Sequence, residues 1–220
     1  MVVETSVSTA KRRGYDASGR AAAAIRRRQA VLDACQDLLV HNGYQATTVK
    51  AVADLAGVST EMIYKSFGGK KQLVKSLYDV TVAGDDESVP IGERPDIRHI
   101  LAASDPHEKL ARYGAFVRSY QERTNVLLHV FTAAHPDIAE IRATIECERL
   151  SGLKTFVAHL ASEGHLRAQL TLDAAADACW VLTSPQVFAQ LTQARKWSAD
   201  DYQRWITEML LASLLDRATP

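Results

Sequence analysis

Thr60, Glu61, Tyr64, Lys65 and Ser66 bring hydroxyl, carboxylate, phenol and ammonium groups to the outward face of one short stretch. Side chains of these types can hydrogen-bond to an external polar edge. The stretch is Thr48–Phe67, TVKAVADLAGVSTEMIYKSF. Val49, Val52, Ala53 and Ala56 recur at helical spacing and give a first helix one apolar face. Gly57 can take the left-handed conformation that closes it. Ser59 can cap a second helix, in which Ile63 and Phe67 fall four apart and face inward. Small Ala53 allows close crossing, and the turn is only three or four residues. This is helix-turn-helix geometry. Its second helix can enter a major groove and offer outward side chains to base edges. An ordinary helical hairpin in a core has the same pattern.

Signatures of catalysis are missing. There is no Gly-x-Ser-x-Gly, no zinc-type cysteine pairing and no dinucleotide fingerprint. Gly68-Gly69-Lys70 lacks the first glycine, the Ser/Thr after lysine and the preceding strand of a phosphate-binding loop. His159 and Glu163 are spaced to meet a metal, but no third ligand lies nearby in sequence. The expectation is a protein without catalytic residues, metal or cofactor.

The chain has 220 residues, 47% of them apolar, and zero net charge. That charge is unevenly spread. Residues 1–78 hold 12 Lys and Arg against 6 Asp and Glu; residues 79–220 hold 14 against 20. A basic front and an acidic back point to an anionic partner for the front alone. Residues 1–20, with Lys-Arg-Arg at 11–13, are expected to be a flexible basic arm, either reaching a minor groove or simply solvated. A helix from Ala21 to Asn42-Gly43 buries Val31, Leu32, Cys35, Leu38 and Leu39. Arg26, Arg27 and Arg28 at its start oppose the helix dipole. They call for an external phosphate, or for pairing with Asp33 or the acidic half. Lys70 and Lys71 raise the same question at the start of a helix running to about Ala83. Cys35, Cys147 and Cys179 lie in apolar helical patterns and are expected as small buried hydrophobes in a reducing, cytoplasmic setting. No apolar run approaches a membrane span.

The residues from Arg26 to Tyr78 resemble the N-terminal domain of the TetR family of transcriptional regulators. The match rests on Asn42-Gly43-Tyr44, Thr47-Thr48-Val49, Ala53, Ala56-Gly57-Val58-Ser59, Ile63-Tyr64, Phe67, Lys70 and Leu73. The resemblance implies an all-α fold in which a helix-turn-helix DNA-binding domain, 21–78, precedes a helical ligand-binding and dimerisation domain, 79–220. It implies double-stranded DNA with a palindromic operator as partner, a homodimer, and phosphate contacts from Thr48, Tyr64 and Lys70. The expected DNA-facing set is Thr48, Lys50, Ser59, Thr60, Glu61, Met62, Tyr64, Lys65 and Lys70. Thr60-Glu61-Met62 departs from the basic residue often found there. Glu61 can accept from a cytosine amino group or merely complement its helix N-terminus.

Past an acidic loop at 84–95, the pattern is helical to the end. Helices are expected at Pro95–Ala103, from Asp105-Pro106, over Val126–Ala134 as a buried helix or half-helix, and from Pro136 to Glu163. Leu172–Ala194 is divided at Ser184-Pro185, and a last helix from Ser198 runs to about Leu215. Val187, Phe188, Leu191, Trp205, Ile206, Met209 and Leu210 form apolar stripes that serve either a four-helix dimer interface or the intrachain core. Tyr78, Tyr113, Phe116, Tyr120, His129, Phe131, His135, Cys147 and Trp180 either line a cavity for a small, largely apolar effector or pack the core. The function expected is a homodimeric repressor released from DNA by that effector. The alternative is a constitutive DNA-binding or protein-interaction module with a solid core.

Overall fold

The computed structural model describes residues 17–87 and 89–216, with side chains from Gly19 onward. The Lys-Arg-Arg of the expected arm lies outside the described residues, and residues 17–20 form the first turn of helix α1 (Ala17–Ala46). Helical backbone breaks in α1 at Gly43, whose φ of 75° only glycine adopts readily. Then follow α2 (Val49–Ala56), α3 (Thr60–Phe67) and α4 (Lys70–Ala83). Beyond the acidic loop come α5 (Pro95–Leu101), α6 (Pro106–Thr124), α7 (Pro136–Ser162), α8 (Leu172–Leu182), α9 (Pro185–Ala189) and α10 (Ala199–Leu214). No strand occurs among the described residues.

Starts are written locally. Proline opens α5, α6, α7 and α9, where its missing N–H costs nothing. Asp105, Thr171, Ser184 and Ser198 accept backbone N–H groups of the first turns. Ser198 and Asp201 satisfy each other's end of α10 in a capping box.

The buried residues form two cores, and α7 belongs to both. Val31, Leu32, Val52, Ile63, Phe67 and Leu73 of α1–α4 close on Ile138, Ile141 and Ile145 from the first half of α7. Leu153, Phe156, Val157 and Leu160 from its second half pack with α5, α6, α8, α9 and α10. Helix α6 crosses α10 so closely that a Cβ on Gly114 would overlap Thr207 Oγ1.

Three expectations are corrected. Val126–Ala134 is no α-helix: it holds two short 3-10 turns, Asn125–Leu127 and Val130–Thr132, which bury Leu127 and Val130 and leave Val126 exposed. Pro136 forces His135 into extended backbone, so the connection must turn sharply and helical continuity is lost. Cys147 is exposed, on the face of α7 away from both cores. Phe188, Ile206 and Leu210 are consumed by the chain's own second core and have no surface for a partner. A broad apolar stripe fills the intrachain core with its centre and leaves only its edges half-exposed.

Candidate nucleic-acid interface and the cavity behind it

Two capped joints fix α3. Thr48 Oγ1 accepts from Ala51 N–H at 3.0 Å and starts α2, while Thr47 turns back to the Gly43 carbonyl. Gly57, with φ 67°, closes α2 through N–H bonds from Gly57 and Val58 to the Ala53 carbonyl. Ser59 Oγ accepts from Met62 N–H and starts α3. Gly68 ends α3 in the left-handed region, and Gly69 begins α4. Ile63 and Phe67 are buried in the first core.

The opposite face of α3 is open. Tyr64 is 56% exposed, and its ring leans over the turn at Gly69. Ser59, Thr60, Glu61, Lys65 and Ser66 are exposed beside it, while Met62 is half-buried against the core. Lys50 is exposed but tied to Asp54 at 2.7 Å. Lys65 has no ion-pair partner among the described residues. The face thus offers hydroxyl and ammonium donors and the Glu61 acceptor to an edge laid against it.

Lys70 is held differently from the others. Its ammonium lies 3.9 Å from the centroid of the Tyr44 ring, and burial lowers its pKa against the raising effect of Asp137. Tyr44 donates to Asp137 at 2.6 Å, and burial, then this bond, push its pKa up. His135 also packs against Tyr44, centroids 4.7 Å apart. The charges that seemed to need an external anion find internal ones in part. Lys71 reaches Glu140 of α7, and Arg28 reaches Asp86 of the acidic loop. Arg26 and Arg27 remain exposed.

From Lys75 to its end at Ala83, α4 forms one wall of a cavity of about 1000 Å³. Residues 85–87 and 89–94 roof it, and α5, α6 and α7 close it with Ile100, Phe116, Leu153 and Phe156. Arg123 of α6 donates to the Thr81 and Val82 carbonyls at the end of α4, pinning it to that wall. Of the expected cavity residues, Tyr78, Tyr113, Phe116 and Tyr120 line it. The other five do not. His129 and Cys147 are exposed, His135 is on Tyr44, and Phe131 meets Tyr78 edge-on at 5.3 Å on the first-core side. Trp180 carries the Arg149 guanidinium on its ring. His159 lines the cavity, and with Glu163 it surrounds the fully buried ammonium of Lys109. The cation between that spaced pair is therefore a lysine. Sequence reading missed both Lys109 and Arg149, because a charged side chain on a helix is expected to face water. No helix among the described residues is long and apolar enough to cross a membrane.

Comparison with known proteins agrees with this geometry. Residues 31–77 match the family model described as "Bacterial regulatory proteins, tetR family". A Bacillus subtilis protein named "Uncharacterized HTH-type transcriptional regulator YvkB" is 47% identical over 47 residues, 21% of this chain and 25% of that one. The chain thus spans only a quarter of that relative's length. The Pseudomonas putida "Probable HTH-type transcriptional regulator ArpR" is 26% identical over 68% of this chain and 72% of its own. In structure, NalD, the secondary repressor of the MexAB-OprM multidrug efflux pump in Pseudomonas aeruginosa, superposes with a TM-score of 0.66 at 18% identity. That superposition covers 86% of this chain and 96% of NalD.

Proposed function

Since residues 31–77 make this chain a member of the tetR family of bacterial regulatory proteins, we propose that it is a homodimeric repressor. It holds a palindromic DNA operator through α3 and leaves it when a small, largely apolar molecule fills the cavity behind α4. The observation that carries this reading is the course of α4. Only Gly68 and Gly69 separate it from α3, and from Lys75 onward it forms a cavity wall. Material entering the cavity pushes on the element that sets the position of α3.

Residues Thr48, Tyr64, Lys65 and Lys70 contact phosphates or base edges, with residues 21–78 as the DNA-binding unit and 79–220 as the effector and pairing unit. Two copies pair through the outward edges of α8, of α9 with the turn that follows it, and of α10, where Trp205, Met209, Val187 and Leu191 stay half-buried and Val181 is 55% exposed. Pairing sets two α3 helices one DNA turn apart, about 34–36 Å. A small molecule favouring a different spacing need supply only about 1–3 kcal/mol of coupling.

The test is a titration of the purified full chain against duplex DNA from upstream of its own gene, at several salt concentrations. The reading expects two chains per operator and a Kd that rises steeply with salt, as released counterions require. One chain per duplex, or an affinity indifferent to salt, would refute it.

A further inference from the structure

Resting on the effector reading above, we propose that the cavity takes a neutral, mostly apolar molecule with one oxygen-bearing head group, received by the hydroxyls of Tyr78 and Tyr113. Most polar groups around the cavity are already engaged within the protein. Arg149 gives Nε and Nη2 to Glu146 at 3.1 and 2.7 Å and Nη1 to the Trp180 carbonyl at 2.8 Å. Its charge is matched by Glu146 and, with Nη1 also 3.4 Å from Thr183 Oγ1, four of its five N–H groups are engaged, so a bound carboxylate would have to compete with Glu146 for it. Tyr120 donates to the Thr183 carbonyl and is likewise occupied. His159 accepts from Lys109, whose charge Glu163 balances.

Every cation at the roof and mouth is also paired there. Arg28 pairs with Asp86, Arg94 with Asp85, and Lys75 with both Asp79 and Glu148. Two negative charges are left over, Glu87 and one of the two acids that share Lys75. All three of these carboxylates meet solvent, the Asp79 and Glu148 side chains being 50% and 58% exposed, and there their field is screened. No unpaired cation therefore faces the interior, and the surplus negative charge sits where water reaches it. An ion entering it would lose its hydration with no partner to replace it, which is costly.

Two lining groups remain unspent. The hydroxyls of Tyr78 and Tyr113 have no hydrogen-bond partner among the described residues, and neither is sealed away among the enclosed unpaired atoms. The 9% of Tyr113 that is exposed opens on the cavity. Burial raises the pKa of both phenols, so each is a neutral donor and acceptor. Around them the walls are apolar: Ile100, Phe116, Leu153 and Phe156, with the Tyr113 and Phe156 rings stacked at 4.3 Å. A flat apolar body fits those walls, and a phenol, ketone or similar oxygen supplies what the two hydroxyls lack.

The experiment uses four probes with one tail: 4-hexylphenol, 4-hexylbenzoate, 4-hexylbenzylammonium and hexylbenzene. Binding to the full chain is followed by calorimetry, for wild type and the Tyr78→Phe/Tyr113→Phe variant. Neither hydroxyl bonds within the protein, so the variant should fold; a thermal melt checks this, and Tyr113→Phe alone serves if the pair does not fold. The phenol should bind about tenfold more tightly than either ion. The variant should bring its affinity down to that of hexylbenzene, itself unchanged. A charged probe binding as well as the phenol, or a variant that keeps the phenol's advantage, overturns the head-group assignment alone. Failure of all four probes to bind, with operator binding intact, overturns the effector reading as well.

Discussion

Arg28 of α1 donates through Nε to Asp86, 2.6 Å away across 58 residues of sequence, and the same guanidinium lies 4.5 Å from the centroid of the Phe67 ring. Asp86 belongs to the cavity roof and Phe67 is the last residue of α3. One side chain thus touches both the roof and the helix that faces outward. Because the pair is partly exposed, 35% and 18%, breaking it should cost no more than about 1 kcal/mol of stability. Its loss should instead weaken communication. In Asp86→Asn, the change in operator affinity caused by 4-hexylphenol should shrink about threefold or more, read by fluorescence anisotropy. An unchanged ratio would remove Arg28 from the coupling route.

The close crossing of α6 on α10 makes Gly114 a packing requirement. Gly114→Ala should destabilise the protein by about 1–3 kcal/mol, the usual cost of overfilling a packed contact, because its Cβ meets Thr207 Oγ1. Adding Thr207→Ala removes that oxygen and should restore most of the loss. Denaturant melts of the single and double variants decide this; equal stabilities for both would mean that the helices separate freely there.

The three cysteines should divide by burial. Burial pushes the thiols of Cys35 and Cys179 up to about 12, so almost no thiolate, the reactive form, exists near neutrality. Cys147 is exposed. At pH 8 a thiol reagent should modify Cys147 quickly in the native protein and reach the other two only after denaturation. Rapid modification of all three would mean that the cores open readily.

Acid should act partly through Glu163. Its bond from Lys109 holds the carboxyl below its ordinary value of 4.5. The stabilisation is complete above that value and is lost as pH falls through the lowered one. Between pH 5 and 3 the melting temperature of Glu163→Gln should therefore fall less steeply than that of wild type. Asp85, Asp105, Asp173 and Asp201 are lowered too, so the slope should lessen and not vanish. Parallel slopes would show that this pair contributes nothing to acid sensitivity.

Where a residue's role is set by its sequence neighbours, it was legible. Ser59, Asp105 and Ser198 each cap the helix they precede, and Pro185 divides a helix as its chemistry demands. The outward face of α3 followed from Ile63 and Phe67 falling one turn apart. Roles that depend on a distant partner were not legible. Asp137 meets Tyr44 across 93 residues, and Asp86 meets Arg28 across 58. Phe116 and Phe131 are alike in sequence, yet only one borders the cavity, because the choice depends on how α6 lies against α4. Phe188, Ile206 and Leu210 show the same limit. Helical spacing marks an apolar stripe but does not say whether its own chain or a second copy covers it.

DNA binding rests on the outward face of α3, and the affinity of the Tyr64→Ala/Lys65→Ala variant for DNA from upstream of the gene tests it directly. Both side chains are exposed and make no hydrogen bond or ion pair among the described residues, so the melting temperature should not move. Measured by anisotropy beside wild type, operator binding should weaken about tenfold or more. Equal affinity for wild type and variant would mean that another surface meets the DNA, and the account would fail.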